Sequence, residues 1–327
     1  MSFMKVLGGG VVDHHSQWGA SCLFLSIDGI SMVIDCGVRL NTTENPLPDL
    51  EWLKDKRVDA ILITHAHTDH VGAAPNLAAQ HPEAEIFMTF ETSVISEILL
   101  EGNLDVAERY DKPTHYDREQ CGKLFQRTLI SEFEEWVTIE RGGHKLQFCF
   151  WPAGHIRGAA SILIKDESGN HYLVTGDLSL HEMPTVEAPK PLPTDFINDK
   201  LVVVAEATNG GIQLPKRNEE KQRLIERIHQ VLARGGKVLI PALAVGRAQD
   251  VALDLANAGI SVHLGGMAKD ILISDAFGRK FLHRGLRKVN GDLDFISKSQ
   301  KTEVVVTTNG MLEGAQSRAL AYHWMED

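Results

Sequence analysis

Cysteine is scarce in this 327-residue sequence, and Cys22, Cys36, Cys121 and Cys149 stand singly, with no CxxC pair. That excludes a cysteine-rich zinc module and argues against a disulfide framework. It fits a reducing, cytoplasmic compartment. No run of about 18 apolar residues occurs, so no segment reads as a membrane span. The opening MSFMKVLGGG lacks the charged-then-apolar layout of a secretory signal. Internal repeats and low-complexity tracts are also missing. Nor is there a basic excess: 33 Lys and Arg face 44 Asp and Glu, for a net charge of −11. That argues against a generic nucleic-acid coat. It does not exclude a nuclease, whose ligand carboxylates are neutralised by metal and whose groove can be locally basic.

What is present is an ordinary globular composition, 43% apolar and 24% charged, long enough for a sizeable core and two domains. Fifteen histidines is a high count at this length. In the first part, SCLFLSIDGISMVIDCG reads as two strands around a turn at Asp28-Gly29. VDAILIT reads as a buried strand, VGAAPNLAAQHP as a short helix and AEIFMTF as another strand. Apolar spacing predicts helices over 91–108 and 117–134. Strands return in VTIERGGHKLQFCFW, AASILIKDESGNHYLVTGD and LVVVAEATNG. Four prolines within PTVEAPKPLPTDF mark an exposed connection. Beyond it, NEEKQRLIERIHQVLARGG is an amphipathic helix with Gly235 as its stop. KVLIPAL, GRAQDVALDLANAG and SVHLGG then alternate strand, helix and strand, the pattern of a parallel α/β sheet. The expected division is a β-rich α/β domain over 1–206 and a second α/β domain over 207–327.

The chemistry concentrates in ILITHAHTDHVG, where His65, His67, Asp69 and His70 fall within six residues after an apolar strand. Alternate residues of an extended chain point to the same side, so His65 and His67 can reach one ion. Asp69 and His70 lie one turn further, where the chain enters a helix, and can hold a neighbouring ion. Imidazole with carboxylate suits zinc and, less well, manganese or iron.

This segment resembles the metallo-β-lactamase superfamily, whose signature is HxHxDH. The resemblance extends in order along the chain. Asp35, in VIDCG, resembles the acidic group that orients the metal ligands. His155, in PAGHIRGAAS, resembles the third histidine of the first metal site, and Asp177, in YLVTGDLS, the carboxylate bridging two metals. It implies an αββα sandwich and a two-zinc centre with ions about 3.5–4 Å apart that hold a nucleophilic hydroxide. Such a centre suits phosphodiesters, thioesters, lactones or lactams. His144, in a GGH turn, reads as surface, and Asp13-His14-His15 as a rim feature at most.

LVVVAEATNGG, KVLIPALAVGRAQDVALDL and TTNGMLEGAQSRALAYHW resemble the β-CASP subgroup. These are nucleases of RNA and DNA in which a second α/β (cap) domain walls the nucleic-acid cleft. Glu206 resembles that subgroup's first acidic motif, a group positioning a histidine that protonates the leaving oxygen. Its other reading is a solvated carboxylate at a strand end. Gly246 opens a helix, whose N-terminus favours anions, and Arg247 and Arg318 are candidates for phosphate contact or for interface salt bridges. The resemblance thus implies hydrolysis of RNA or single-stranded DNA, with Asp69, Asp177 and Glu206 as catalytic residues.

The subgroup's two later histidine motifs have no counterpart before AYHWMED, and His323 matches neither. The expectations are one tight metal, a second that is weak or absent, weak activity of this chain alone, and a sheet whose C-terminal return is missing. Three explanations stand: a fragment of a longer protein, a natural short form, or a subunit completed by a second copy or a partner chain. Two other readings stand beside the nuclease: a small-molecule metallohydrolase acting on a thioester or lactone, and a nucleic-acid-binding scaffold subunit.

Overall fold

The computed structural model describes residues 2–9, 19–39, 45–278, 281, 285–288, 303–308 and 315–325. Two compact units emerge: Met1–Glu182 with Ala188–Glu206, and Met183–Glu187 with Ala207–Asp327.

In the first unit, β1 (Phe3–Gly8), β2 (Cys22–Ile27) and β3 (Ile30–Ile34) run antiparallel. The β2–β3 turn holds Asp28 at φ 50° and Gly29 at φ 83°. Two left-handed residues in a two-residue loop match the twist of the flanking strands. A short helix, α1 (Leu50–Leu53), leads to β4 (Ala60–Leu62). Then come α2 (Thr68–Val71), α3 (Ala74–Gln80), β5 (Glu85–Met88), α4 (Phe90–Arg109), α5 (Arg118–Arg127) and β6 (Thr128–Ile130). The six strands form one sheet in the order β1-β2-β3-β4-β5-β6, with β3 through β6 parallel.

The helix expected over 117–134 is shorter. It starts at a capping box on Asp117 and Gln120 and stops at Arg127. Thr128–Ile130 instead pair with Ile86–Met88, because the open edge of β5 takes their backbone groups. Arg127 donates to the carbonyls of Ala78, His81 and Ala84 at 2.8, 3.2 and 2.7 Å, which ties α5 to the end of α3.

The second sheet comprises β7 (Trp136–Arg141), β8 (His144–Pro152), β9 (Ala160–Asp166), β10 (His171–Val174) and β11 (Leu201–Val204), in the order β11-β10-β9-β8-β7. The core lies between the sheets. Leu23, Leu25, Ile27, Met32, Ile34 and Leu62 from one meet Ile139, Leu146, Phe148, Phe150, Ile162 and Ile164 from the other. Inward and outward residues alternate as the two-residue period of a strand requires. Full burial of each such side chain contributes about 1.5–3 kcal/mol. On the outer face of the second sheet, Phe196 packs with Cys149, Leu163 and Leu173.

In the second unit, α6 (Arg217–Ala233) precedes β12 (Val238–Pro241), α7 (Arg247–Asn257), β13 (Val262–Leu264), α8 (Met267–Ile273), β14 (Leu286–Lys288) and β15 (Val304–Thr307). The strands form a parallel sheet ordered β12-β15-β13-β14. Gly235, at φ 80°, ends α6 with its N–H on the Leu232 carbonyl, the left-handed stop expected there. A last helix spans Ala315–Met325 and contains His323.

The proline-rich connection is not wholly exposed. Thr185 is buried in the second unit, and its N–H and hydroxyl donate to Asp250 Oδ1 at 3.2 and 2.7 Å. All four cysteines are free and buried. Among the described residues no helix is long and apolar enough to cross a membrane.

Candidate metal centre

The site forms where strands of the first unit end. β3 and β4 are parallel neighbours, with Ile34 opposite Leu62. Asp35 and Thr64 therefore leave the sheet side by side. From the other sheet, His155 precedes β9 and Asp177 follows β10, and these strands are antiparallel, with Val174 opposite Ile162. Both loops thus reach the same edge. Ala160 N–H donates to the Thr64 carbonyl at 2.9 Å, joining the two sheets next to His65.

Three imidazoles converge there. His65 Nε2 lies 3.1 Å from His67 Nδ1, and His155 Nε2 lies 3.0 Å from the same atom. Asp177 Oδ2 is 3.9 Å from His65 Nε2 and 3.6 Å from His155 Nε2. These four side chains form a group whose ligand atoms all lie within 4.8 Å of one another.

The tautomer of His65 follows from its partners. Thr64 N–H and hydroxyl donate to Asp35 Oδ1 and Oδ2 at 2.7 and 2.8 Å. A carboxylate only accepts, so the one Thr64 hydroxyl proton goes to Asp35. The 3.0 Å contact between Thr64 Oγ1 and His65 Nδ1 is therefore donated by the imidazole. His65 Nε2 is left with its lone pair facing the cluster. Burial pushes the His65 pKa well down, and His70, His67 and His155 push it the same way. Nitrogen lone pairs this close repel unless a cation lies among them. A tetrahedral ion with metal–nitrogen bonds of about 2.0–2.1 Å sets its nitrogens roughly 3.3 Å apart. The donor set therefore fits a metal.

A second group adjoins. His70 Nε2 is 3.3 Å from Asp177 Oδ1 and 3.9 Å from Asp69 Oδ2, while His70 Nδ1 donates to Asp35 Oδ2 at 2.7 Å. Burial opposes a charge on His70, but Asp35, Asp177 and Asp69 outweigh it and hold its pKa well above the ordinary value. Burial works against ionised Asp177 in turn; its hydrogen bond with His70 and the neighbouring histidines override this and lower its pKa. Asp35 is 2% exposed, and Asp69 keeps a third of its side chain in solvent.

The backbone is held in unusual conformations to achieve this. Asp35 and His155 sit at φ 59° and 60°, the left-handed region that non-glycine residues rarely adopt. Gly37 makes the close approach behind the histidine loop: a Cβ there would fall 1.7 Å from the Asp69 carbonyl oxygen.

Asp35, His65, His67, Asp69, His70, His155 and Asp177 are thus brought together. Glu206 lies two residues beyond β11, the parallel neighbour of β10, and its N–H donates to Thr175 Oγ1 at 3.1 Å. It therefore flanks the Asp177 turn. Arg247 and Arg318 belong to the second unit. Arg247 is exposed at the start of α7, behind Gly246 at φ 79°. Arg318 is exposed, with its guanidinium 5.6 Å from the centre of the Tyr322 ring. Asp13, His14, His15 and the first residues of GMLEGAQSR lie outside the described residues. His144 is exposed, 3.7 Å from Glu167. Sequence reasoning missed Thr64. Only the fold shows that its hydroxyl joins Asp35 to His65, although its position directly before the histidine pair is a clue.

Fold and site together define a metal-binding protein of the metallo-β-lactamase fold. A family model described as "Metallo-beta-lactamase superfamily" matches residues 16–89. Over 313 residues the chain is 29% identical to "Probable RNase MJ4" of Methanocaldococcus jannaschii, covering 90% of this chain and 71% of that one. It is 28% identical to "RNase aCSPSF2" of Saccharolobus solfataricus, covering 95% and 62%. It is also 28% identical to "Cleavage and polyadenylation specificity factor subunit 3-I" of Arabidopsis thaliana, covering 95% and 47%. The chain therefore spans about half to seven-tenths of these relatives. A solved structure of a protein of unknown function from Enterococcus faecalis V583 superposes with a TM-score of 0.54 over 89% of this chain and 74% of that one, at 14% identity. That likeness concerns the fold alone. The chain resembles the metallo-β-lactamase superfamily and, within it, the β-CASP nuclease subgroup.

Proposed function

We propose that this chain is a metal-dependent nuclease that hydrolyses RNA phosphodiesters. The observation that carries the proposal is the convergence of His65 Nε2, His67 Nδ1 and His155 Nε2 beside Asp177. The names of the relatives, two RNases and a cleavage factor subunit, support phosphodiesters over thioesters. The three imidazoles and Asp177 would hold zinc, with manganese the alternative. Asp69, His70 and Asp177 would hold a second ion. When bound, such ions make water nucleophilic at neutral pH and polarise the scissile phosphate.

The chain's own residues have separate roles in this reading. Asp35 orients His70 through Nδ1 and, through Thr64, His65 through its tautomer. Asp177 lies against both groups of ligands and sets their spacing. Asp69, the most solvent-exposed of the carboxylates in this group, accepts the proton of the attacking water. Glu206 directs proton delivery to the leaving oxygen. Arg247, exposed at a helix N-terminus, and Arg318 contact phosphates of the bound strand. Four buried, free cysteines support a cytoplasmic setting.

The test presents the purified chain, with zinc or manganese, to end-labelled single-stranded RNA, single-stranded DNA and a generic thioester. RNA cleavage that Asp69→Ala abolishes is the expected result. Thioester turnover without RNA cleavage would make the chain a small-molecule hydrolase, and RNA binding without turnover a scaffold.

A further inference from the structure

His155 is carried by a loop, Ala153–Ala159, that has little regular structure of its own. Three of its residues have positive φ: Gly154 at 69°, His155 at 60° and Gly158 at 83°. A non-glycine residue in that region is strained by about 1 kcal/mol or more. Something outside the loop must hold the His155 ring against His67. At its base, Ala153 N–H donates to the Ala159 carbonyl at 3.2 Å, and Ser179 N–H donates to the Ala153 carbonyl at 3.2 Å. The tip is held by the start of α4.

There the Gly158 carbonyl accepts two hydroxyls, from Thr89 Oγ1 at 2.8 Å and Thr92 Oγ1 at 2.9 Å. Both threonines are buried, at 1% and 0% exposure. Thr89 is also the N-cap of α4, where it accepts the Thr92 N–H at 3.2 Å. Only a hydroxyl side chain accepts from the helix and donates to the loop through one atom; an ionised aspartate cap would face the carbonyl with another acceptor. Next to this, Arg157 pairs with Glu91 in the first turn of α4 at 2.9 Å. The fit is close, since a Cβ on Gly158 would fall 2.7 Å from Thr92 N.

We propose that Thr89 and Thr92 are positioning residues for the metal centre: their hydroxyls lock the Gly158 carbonyl and thereby hold His155 Nε2 at the ligand position beside His67. The inference rests on the reading of His155 as a metal ligand. Such outer partners are worth about 10–100-fold in metal affinity.

The test uses the full chain loaded with cobalt(II), read by titration and by its visible absorption, which reports ligand number and geometry. Thr92→Val keeps the shape and leaves the Thr89 cap in place. It is expected to weaken cobalt binding about 10-fold or more and to alter the visible spectrum. Thr92→Ser, which keeps the hydroxyl, is expected to restore both. Wild-type affinity and spectrum in Thr92→Val would overturn the lock while leaving the metal site standing. A wild-type chain that takes up no cobalt would overturn both readings.

Discussion

Asp35 shows how much one buried carboxylate can organise. It receives the Thr64 N–H, the Thr64 hydroxyl and His70 Nδ1, each within 2.8 Å. The bond from His70 Nδ1 reaches a candidate ligand directly, and the Thr64 hydroxyl reaches His65 at one remove. His70 and His65 consequently differ. In the metal-free chain the folded pKa of His70 is raised, so its contribution to stability is fully present below the unfolded value near 6.5 and is lost as pH rises through the folded value. An ion at His70 Nε2 must displace that proton. The pKa of His65 is lowered, so its nitrogen is already free at neutral pH. Lowering the pH from about 8 to about 6 should therefore release the ion at Asp69, His70 and Asp177 first, and that at His65, His67 and His155 later. Zinc per chain after equilibrium dialysis at stepped pH checks this. Simultaneous release, or loss from the three-histidine group first, would contradict it.

Elements bring these residues together through strand pairing, and here the sequence was only partly legible. The Asp28-Gly29 hairpin, β4 before the histidines and the stop of α6 at Gly235 follow from local chemistry, and the structure has each of them. The strand β6 did not, because Thr128–Ile130 is too short a run to be told from the end of a helix. It becomes a strand only by pairing with residues some 42 positions earlier, as Ile86 with Thr128. The supporting threonines were hidden for the same reason: Thr92 meets Gly158 across 66 residues. The ligands were legible because histidines and aspartates stand in a fixed order at strand ends; their supports are ordinary threonines. Gly37 tests the close approach behind the ligand loop. Gly37→Ala forces a methyl into the Asp69 carbonyl and should cost about 3 kcal/mol or more, seen as a lower denaturant midpoint. An unchanged midpoint would show that the loop has room to move.

In the second unit, the segment Met183–Glu187 is held by Asp250. Burial raises the Asp250 pKa, against the pull of Thr185, Arg217 and Arg247. Its contribution to stability is therefore present below the unfolded value near 3.8 and is lost as pH rises through the folded one, so at neutral pH the charge is a cost. Asp250→Asn keeps an acceptor for Thr185 without the charge and should leave stability at neutral pH unchanged or slightly higher. Asp250→Ala strands two buried donors and should cost about 1–3 kcal/mol. Chemical denaturation at pH 7 separates them, and equal losses in both variants would contradict this division.

At the scale of the whole molecule, a sandwich of two sheets places two groups of ligands along one edge, and a parallel α/β unit follows it in the chain. The proposed hydrolysis of RNA depends on a metal at the first group. It is tested most directly by stripping the chain of metal and adding back zinc while following cleavage of end-labelled single-stranded RNA. The expected result is no cleavage by the stripped wild type, cleavage on zinc return, and none by His67→Ala at the same zinc level. Cleavage that persists without metal, or that His67→Ala retains in full, would contradict it.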